Sequence, residues 1–384
     1  MKSYKKISII LLTTMCMTVG CGNADLKSNN SKEIEVQSMQ EEVVEKQEVE
    51  KIEAKEEAKE KVKEEVVEIK EINYQEVKPN EVGTILVAMY HGLADEETYN
   101  NGSKDFKMYQ RKIEDFKKDL NYMYEHGYRP ISIRDYVDNN ITVEAGFTPI
   151  VLTFDDGLQT AFSLEQENNE YVVAKDTAVS IMDEFAKEHP DFGKAATFYI
   201  NGNQDAFGEV GTLEERIKFL VNDGYGVGNH TRDHANLYEL DGQNIQEQIG
   251  TIDQDIKKIL PDYKVDTIAL PFGSRPKEEL RKYLEEGEFD GQKYSYNIAF
   301  RVGYSAPYVS VNNVKFSPYN HPRVTASDMA DWDMWYAFDY FDNQYPSMKY
   351  ISDGKPNRIA VPKSWEERVN KDSLLGKELF IYEK

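Results

Sequence analysis

Cysteine is nearly absent: the 384 residues hold two, Cys16 and Cys21, both close to the N-terminus. Everything beyond Cys21 lacks disulfides and thiolate metal ligands, which excludes a disulfide-stapled scaffold and a cysteine-held zinc site. Histidine is scarce too, six in all, so two at close spacing are informative. Basic charge is in deficit. Lys and Arg number 46 against 69 Asp and Glu, a net charge of −23. No basic stripe is present, which argues against nucleic acid as a partner. Long apolar runs are also missing. Ile7–Val19 is largely apolar but short for a membrane span.

The N-terminus reads as an export signal. Lys2, Lys5 and Lys6 form a basic start, Ile7–Val19 an apolar centre, and Gly20-Cys21 the end. Small residues ending at a cysteine resemble the lipobox of bacterial lipoproteins, with Thr18 where leucine is usual. Residues 1–20 are therefore expected to be a lipoprotein-type signal peptide. Cys21 would carry a lipid that anchors the exported chain to the membrane, facing outside. Residues 21–80 differ in composition, with a Glu/Lys-rich run from Glu41 to Glu71 and no sustained heptad. They read as a charged flexible tether. Pro79 marks the expected boundary, and residues 81–384 suffice for one α/β barrel-sized core.

In that domain, apolar runs alternate with amphipathic patterns. Strands are expected at Thr84–His91, Pro149–Leu152, Ala195–Ile200, Thr267–Leu270 and Asn297–Phe300. Helices are expected at Arg111–His126, Val172–Glu188, Leu213–Asn222 and Ile245–Leu260, with Gly127 capping the first. Phe162–Glu170 reads as polar loop, and Arg358–Val361 and Leu379–Tyr382 as late strands. Ser327 reads as the cap of a helix with Met329, Trp332, Tyr336 and Phe338 on a core face. The alternation indicates an α/β domain with parallel pairing, which a barrel and a doubly wound sheet share.

Two polar clusters stand at strand ends. Thr153-Phe154-Asp155-Asp156-Gly157 follows the run Pro149–Leu152. Side chains alternate along a strand, so its two carboxylates leave in different directions and can take different tasks. Asp-Asp-Gly is also ordinary turn chemistry. The second cluster is His230-Thr231-Arg232-Asp233-His234. One helical turn would set both imidazoles on one face, and two His with one Asp make a common shell for a divalent metal.

Thr-Phe-Asp-Asp-Gly followed by His-Thr-x-x-His resembles the two leading motifs of the polysaccharide deacetylases, the NodB-homology group of carbohydrate esterase family 4. The resemblance spans residues 84–325 and implies a distorted (β/α) barrel that removes acetyl groups from a polysaccharide. It implies Asp156, His230 and His234 as metal ligands and Asp155 as general base. Zinc is the default metal, with cobalt, nickel or iron as alternatives. Pro271-Phe272-Gly273 resembles the family's third motif, a wall of the substrate groove, but Ala269 stands where the family has an arginine that orients the catalytic aspartate. Arg275 or Arg323 could replace it, and Arg323 with Pro271 and Phe272 is a candidate substrate contact. The family's C-terminal histidine is missing. Met89-Tyr90-His91 resembles the N-terminal segment of circularly permuted members acting on exported poly-N-acetylglucosamine, which makes His91 the candidate general acid and His321 the second choice. His126 and His189 sit at expected helix ends and need no catalytic role. Asp328-Met329-Ala330-Asp331-Trp332 matches a family motif by letters and is read as packing. The competing reading is a glycan-binding lipoprotein on a vestigial barrel, favoured by the missing arginine and histidine.

Overall fold

The computed structural model describes residues 72–202, 205–304, 307–327, 329 and 332–383. The expected signal peptide, Cys21 and the tether up to residue 71 lie outside these. Residues 72–80, expected in the tether, belong to the folded part. Tyr74 packs its ring on Phe380 and Tyr382 at 4.8 and 5.3 Å, and Asn80 is buried. No helix among the described residues is long and apolar enough to cross a membrane.

Among the described residues the central sheet has eight short strands, seven of them in one path: β1 Leu86–Tyr90, β2 Thr148–Phe154, β3 Thr197–Ile200, β4 Gly226–Asn229, β5 Thr267–Ala269, β6 Ile298–Phe300 and β7 Val324–Thr325, with Tyr128–Pro130 pairing off the path with β2. The spatial order along the path is β6-β5-β4-β3-β2-β1-β7, and every neighbouring pair is parallel. The chain just before β7 returns to the far edge, where His321 N–H donates to the Ala299 carbonyl and Arg301 N–H to that of His321. The segment from His321 to Thr325 thus joins the last strand to the first and curls the sheet into a distorted barrel.

Crossover helices cover the outside, as parallel pairing requires. They are α1 Ile113–Glu125, α2 Ala178–Glu188, α3 Leu213–Asn222 and α4 Gly242–Ile259. Three of them start at a capping side chain. Thr177 caps α2, Thr212 and Glu215 form a capping box on α3, and Asp241 caps α4. Ile245, Ile249, Ile252 and Ile256 set one face of α4 into the core. At about 1.5–3 kcal/mol per fully buried side chain, that face outweighs what the exposed side could contribute. Gly127 follows α1 at φ 75, the left-handed conformation that ends a helix.

Two differences from expectation come from turn chemistry. Phe162–Glu170 is not all loop: Leu164–Glu167 and Glu170–Val173 form an antiparallel hairpin around Asn168-Asn169, both at positive φ. That hairpin claims Val172 and Val173, so α2 starts later than the apolar pattern suggested. The helix expected from Ser327 is shorter, Met334–Asp339 (α5), capped by Asp333. Phe338 is buried as expected, but Trp332 and Tyr336 are exposed. Asp328 and Asp331 lie outside the described residues.

The period of two along each strand divides the core. Leu86, Ala88, Tyr90, Leu152, Phe154 and Phe198 face the helices. Ile85, Val87, Val151, Tyr199, Ala269, Ile298 and Phe300 fill the barrel interior. Continuing that inward phase to the carboxyl ends gives His91, Asp155, Asn201, His230 and Pro271. The barrel alternation therefore already points a specific set of side chains at one end of the axis.

Candidate active site

Asp155 leaves β2 on the inward side and is almost fully buried. Arg323, fully buried, meets it as a two-pronged partner: Nη1 donates to Oδ1 at 2.7 Å and Nη2 to Oδ2 at 2.5 Å. Nη1 also donates to Thr153 Oγ1 at 3.1 Å, and Nε to the Arg301 carbonyl at 3.2 Å. Burial pushes the Asp155 carboxyl up, but the Arg323 guanidinium and then His230 outweigh it and hold it well below the usual carboxylate range. Asp155 is thus ionised, oriented, and keeps a second lone pair on each oxygen.

Arg323 answers the missing motif arginine. Ala269 on β5 is buried and small, and the guanidinium arrives from the start of β7 instead. The same placement corrects the expectation that Arg323 touches substrate, since it has no exposed surface. Arg275 has no recorded contact with Asp155.

Asp156 turns the other way. Its φ of 71 is left-handed, and Gly157 follows at φ 62, where a Cβ would lie 2.8 Å from that of Ala206. Asn201 donates from Nδ2 to Asp156 Oδ1 at 3.0 Å. His230 Nε2 lies 3.4 Å and His234 Nε2 3.5 Å from the same oxygen. His230 Nδ1 is 2.7 Å from the Ala269 carbonyl. A carbonyl only accepts, so Nδ1 carries a proton and Nε2 is the nitrogen left facing Asp156 as a candidate ligand atom. Candidate ligand atoms of Asp156, His230 and His234 all lie within 4.8 Å of one another. Two imidazoles and a carboxylate with one tautomer fixed from behind fit a divalent cation of the zinc type.

The two histidines do not converge by a helical turn. Thr231 and His234 have positive φ, 63 and 50, and the segment is an irregular loop. It is pinned to α4: Arg232 N–H donates to the Gln248 carbonyl, Asp233 N–H to Gln248 Oε1, and Gln248 Nε2 to Asp233 Oδ2 at 2.6 Å. Left-handed backbone at a β-branched threonine is costly, and here the surrounding bonds enforce it. Burial pushes the His234 imidazole down and His230 adds to that, while His230, despite its burial, is raised by Asp155 and Asp156.

His91 follows β1 and is nearly buried under the ring of Tyr109, 4.8 Å away. Burial lowers its pKa, which Asp155 and then Asp156 partly offset. His321, the second candidate acid, is excluded as a proton donor. It is fully buried, with Nε2 3.0 Å from the Tyr136 hydroxyl, and burial pushes its pKa down to about 3. His126 and His189 stand at the ends of α1 and α2, as expected. Phe272, at φ 58, sets a largely exposed ring edge-on to His234 at 4.7 Å, whereas Pro271 beside it is buried.

Asn201 and Tyr109 were missed from the sequence. Asn201 had a usable signal, a polar residue immediately after β3 in the inward phase. Tyr109 had none, because its approach to His91 depends on the pairing of Gln110–Lys112 with Gly92–Ala94.

The polysaccharide deacetylase family model matches residues 143–289, which contain both acidic and histidine motifs. Over this stretch the chain is similar to the polysaccharide deacetylases. It is 24% identical over 153 residues to a chitin deacetylase of Arthroderma benhamiae, a match covering 38% of this chain and 35% of that one. The chain thus spans about a third of that relative's length. Among solved structures, the deacetylase PplD of Streptococcus pyogenes in complex with acetate is similar at a TM-score of 0.48 and 16% identity, covering 70% of this chain and 99% of that one. IcaB from Ammonifex degensii is similar at 0.44 and 17%, covering 69% and 97%. His91 and Arg323 fall outside the family match.

Proposed function

We propose that the protein is a metal-dependent hydrolase that removes N-acetyl groups from an extracellular polysaccharide, an N-acetylglucosamine-containing exopolysaccharide or peptidoglycan. In this reading the chain is exported and held at the membrane by lipid on Cys21. The observation that carries the enzymatic part is an ionised, arginine-held Asp155 beside the cluster Asp156, His230 and His234. A binding protein needs no buried base fixed next to a metal shell.

An acetamide is a poor electrophile, and water a poor nucleophile at neutral pH. A divalent cation held by Asp156, His230 and His234 supplies a Lewis acid and brings the pKa of water towards neutrality. Asp155 takes the proton of the attacking water, and Arg323 keeps it ionised and aimed. His91 gives a proton to the departing amine, which must leave neutral. Phe272 walls the groove beside His234. Zinc is the default ion for this donor set.

The non-catalytic reading drew on the arginine missing at Ala269. Arg323 supplies an equivalent guanidinium, which weakens it. The test is acetate release by the purified full chain from poly-N-acetylglucosamine, chitin oligomers, peptidoglycan and acetyl-xylan. Release is expected from an N-acetylated glycan, to be lost on chelation and restored by zinc or cobalt. No release from any of the four, with metal bound and the protein folded, would overturn the proposal.

The acid role has its own readout. His91→Gln is expected to lower kcat on an N-acetylated glycan by about 10²-fold or more. Hydrolysis of an aryl acetate should fall far less, because a phenolate leaves without a proton. Equal losses on both would mean that His91 only shapes the site.

A further inference from the structure

Aromatic residues as frequent as these are expected in the core, and most are there. Among the described residues eight rings are exposed, and four of these form one stripe. Tyr304 is 62% exposed, Trp332 43%, Tyr336 41% and Tyr345 48%. Tyr304 and Trp332 stack at 5.9 Å with planes 22° apart, and Trp332 meets Tyr336 edge-on at 4.4 Å. Tyr340 continues the row, 6.3 Å from Tyr336 in a stacked arrangement and 4.5 Å from Tyr345. Exposed rings leave apolar surface in water, so a contiguous exposed row is a cost to the free protein and marks a contact surface.

The stripe begins at the catalytic end of the barrel. Tyr304 follows Gly303, which bridges to Arg323, the partner of Asp155. Trp332 precedes Asp333, which bridges to Thr325 at the carboxyl end of β7. Arg301 reaches the Gly273 carbonyl from the same loop, at 2.7 Å and one residue beyond Phe272. The row therefore leaves the rim next to the site and runs outward along α5 and the turn after it.

Flat rings with polar edges suit one kind of ligand. The C–H faces of a pyranose stack on an aromatic ring, while its hydroxyls stay in water or meet tyrosine hydroxyls. A row of such rings, at angles to one another, suits a flexible chain of sugars better than one flat molecule. We infer that Tyr304, Trp332, Tyr336 and Tyr345 form a glycan-holding surface for sugars remote from the one being deacetylated. The inference rests on the deacetylase reading and deepens it: the protein prefers polymer to short oligomers, because only a long chain reaches both the metal cluster and the stripe.

The experiment uses the full chain in native gels cast with soluble glycans (poly-N-acetylglucosamine, glycol chitin, acetyl-xylan), alongside acetate release from polymer and from the disaccharide. The proteins are wild type, Trp332→Ala, the pair Tyr304→Ala with Tyr345→Ala, Tyr304→Phe, and Leu375→Ala as an exposed apolar control elsewhere. Wild type, Tyr304→Phe and Leu375→Ala should be retarded by an N-acetylated polymer. The alanine variants at the stripe should lose that retardation. Their kcat/KM on polymer should fall roughly tenfold or more beyond any fall on the disaccharide, mainly through KM, as loss of about one stacked sugar implies. Retardation of wild type without acetate release anywhere would support the surface and sink the deacetylase reading. No retardation of wild type, retardation surviving in the alanine variants, equal losses on polymer and disaccharide, or a stripe that only mediates pairing of two copies would each overturn the surface.

Discussion

Replacing Asp155 by asparagine should lower kcat for acetate release by about 10²–10⁴-fold, the range a positioned general base contributes. The amide fills the same volume and can still accept one hydrogen bond from Arg323, so the fold should survive. It cannot take a proton from water at neutral pH. Asp155 is not among the three side chains that converge as ligands, so metal content should stay close to wild type. Parallel measurement of acetate release and of bound zinc checks both halves. If activity survives, another group is the base. If the metal is lost with the activity, Asp155 belongs to the metal shell.

Arg323→Ala should be nearly as damaging to turnover and far more damaging to stability. The guanidinium and the carboxylate are both buried and hold each other through two hydrogen bonds. Removing one partner of such a pair costs about 3–5 kcal/mol, because the remaining charge is left unpaired in a poorly hydrated place. The loss should depend on pH. In wild type the Asp155 carboxyl is held below its unfolded value, near 3.9. Its contribution to stability is complete above that value and disappears as pH falls through the depressed folded value. Without Arg323, burial dominates and raises the carboxyl, so the variant loses stability as pH rises through that raised value towards neutrality. The stability gap between the two proteins should be widest near neutral pH and narrow on acidification, as read by urea unfolding across pH. For the same reason the acidic limb of the variant's pH–rate profile should move to higher pH. A purely structural role would lower stability by a similar amount at every pH and leave that limb in place.

The chemistry-bearing residues were legible because they are local. Asp155 and Asp156 sit at the end of an apolar run, and His230 and His234 form a short motif in a chain poor in histidine. Their identities needed no partner from far along the chain. The elements with clear periodicity were legible for the same reason: the four isoleucines of α4 announce a helix without help. What failed were readings that depend on turns or distant contacts. The Asn168-Asn169 hairpin cut short the pattern assigned to α2. The histidines meet through left-handed Thr231 and His234, which only the bonds to Gln248 on α4 make tolerable. Trp332 and Tyr336 lie on a helical pattern that suggests core, yet both are exposed.

By itself the sequence determined the charged composition before residue 72, the alternation of strands and helices, and the residue types able to hold a metal and accept a proton. Only the tertiary structure decided which residues complete the site. Arg323 stands 168 residues from Asp155, and nothing along the chain says that closing the barrel brings the start of β7 against the end of β2. Ala269, a gap by motif, gives no sign that a guanidinium will reach Asp155 from another strand. As letters, His91 ranks first through its Met-Tyr-His segment, and His321 remains a second choice. The structure buries His321 against Tyr136, and the inward phase of β1 sets His91 under the ring of Tyr109. Local sequence sets backbone preference and side-chain chemistry. Which side chains share a cavity, and which of them water can reach, follows from long-range packing.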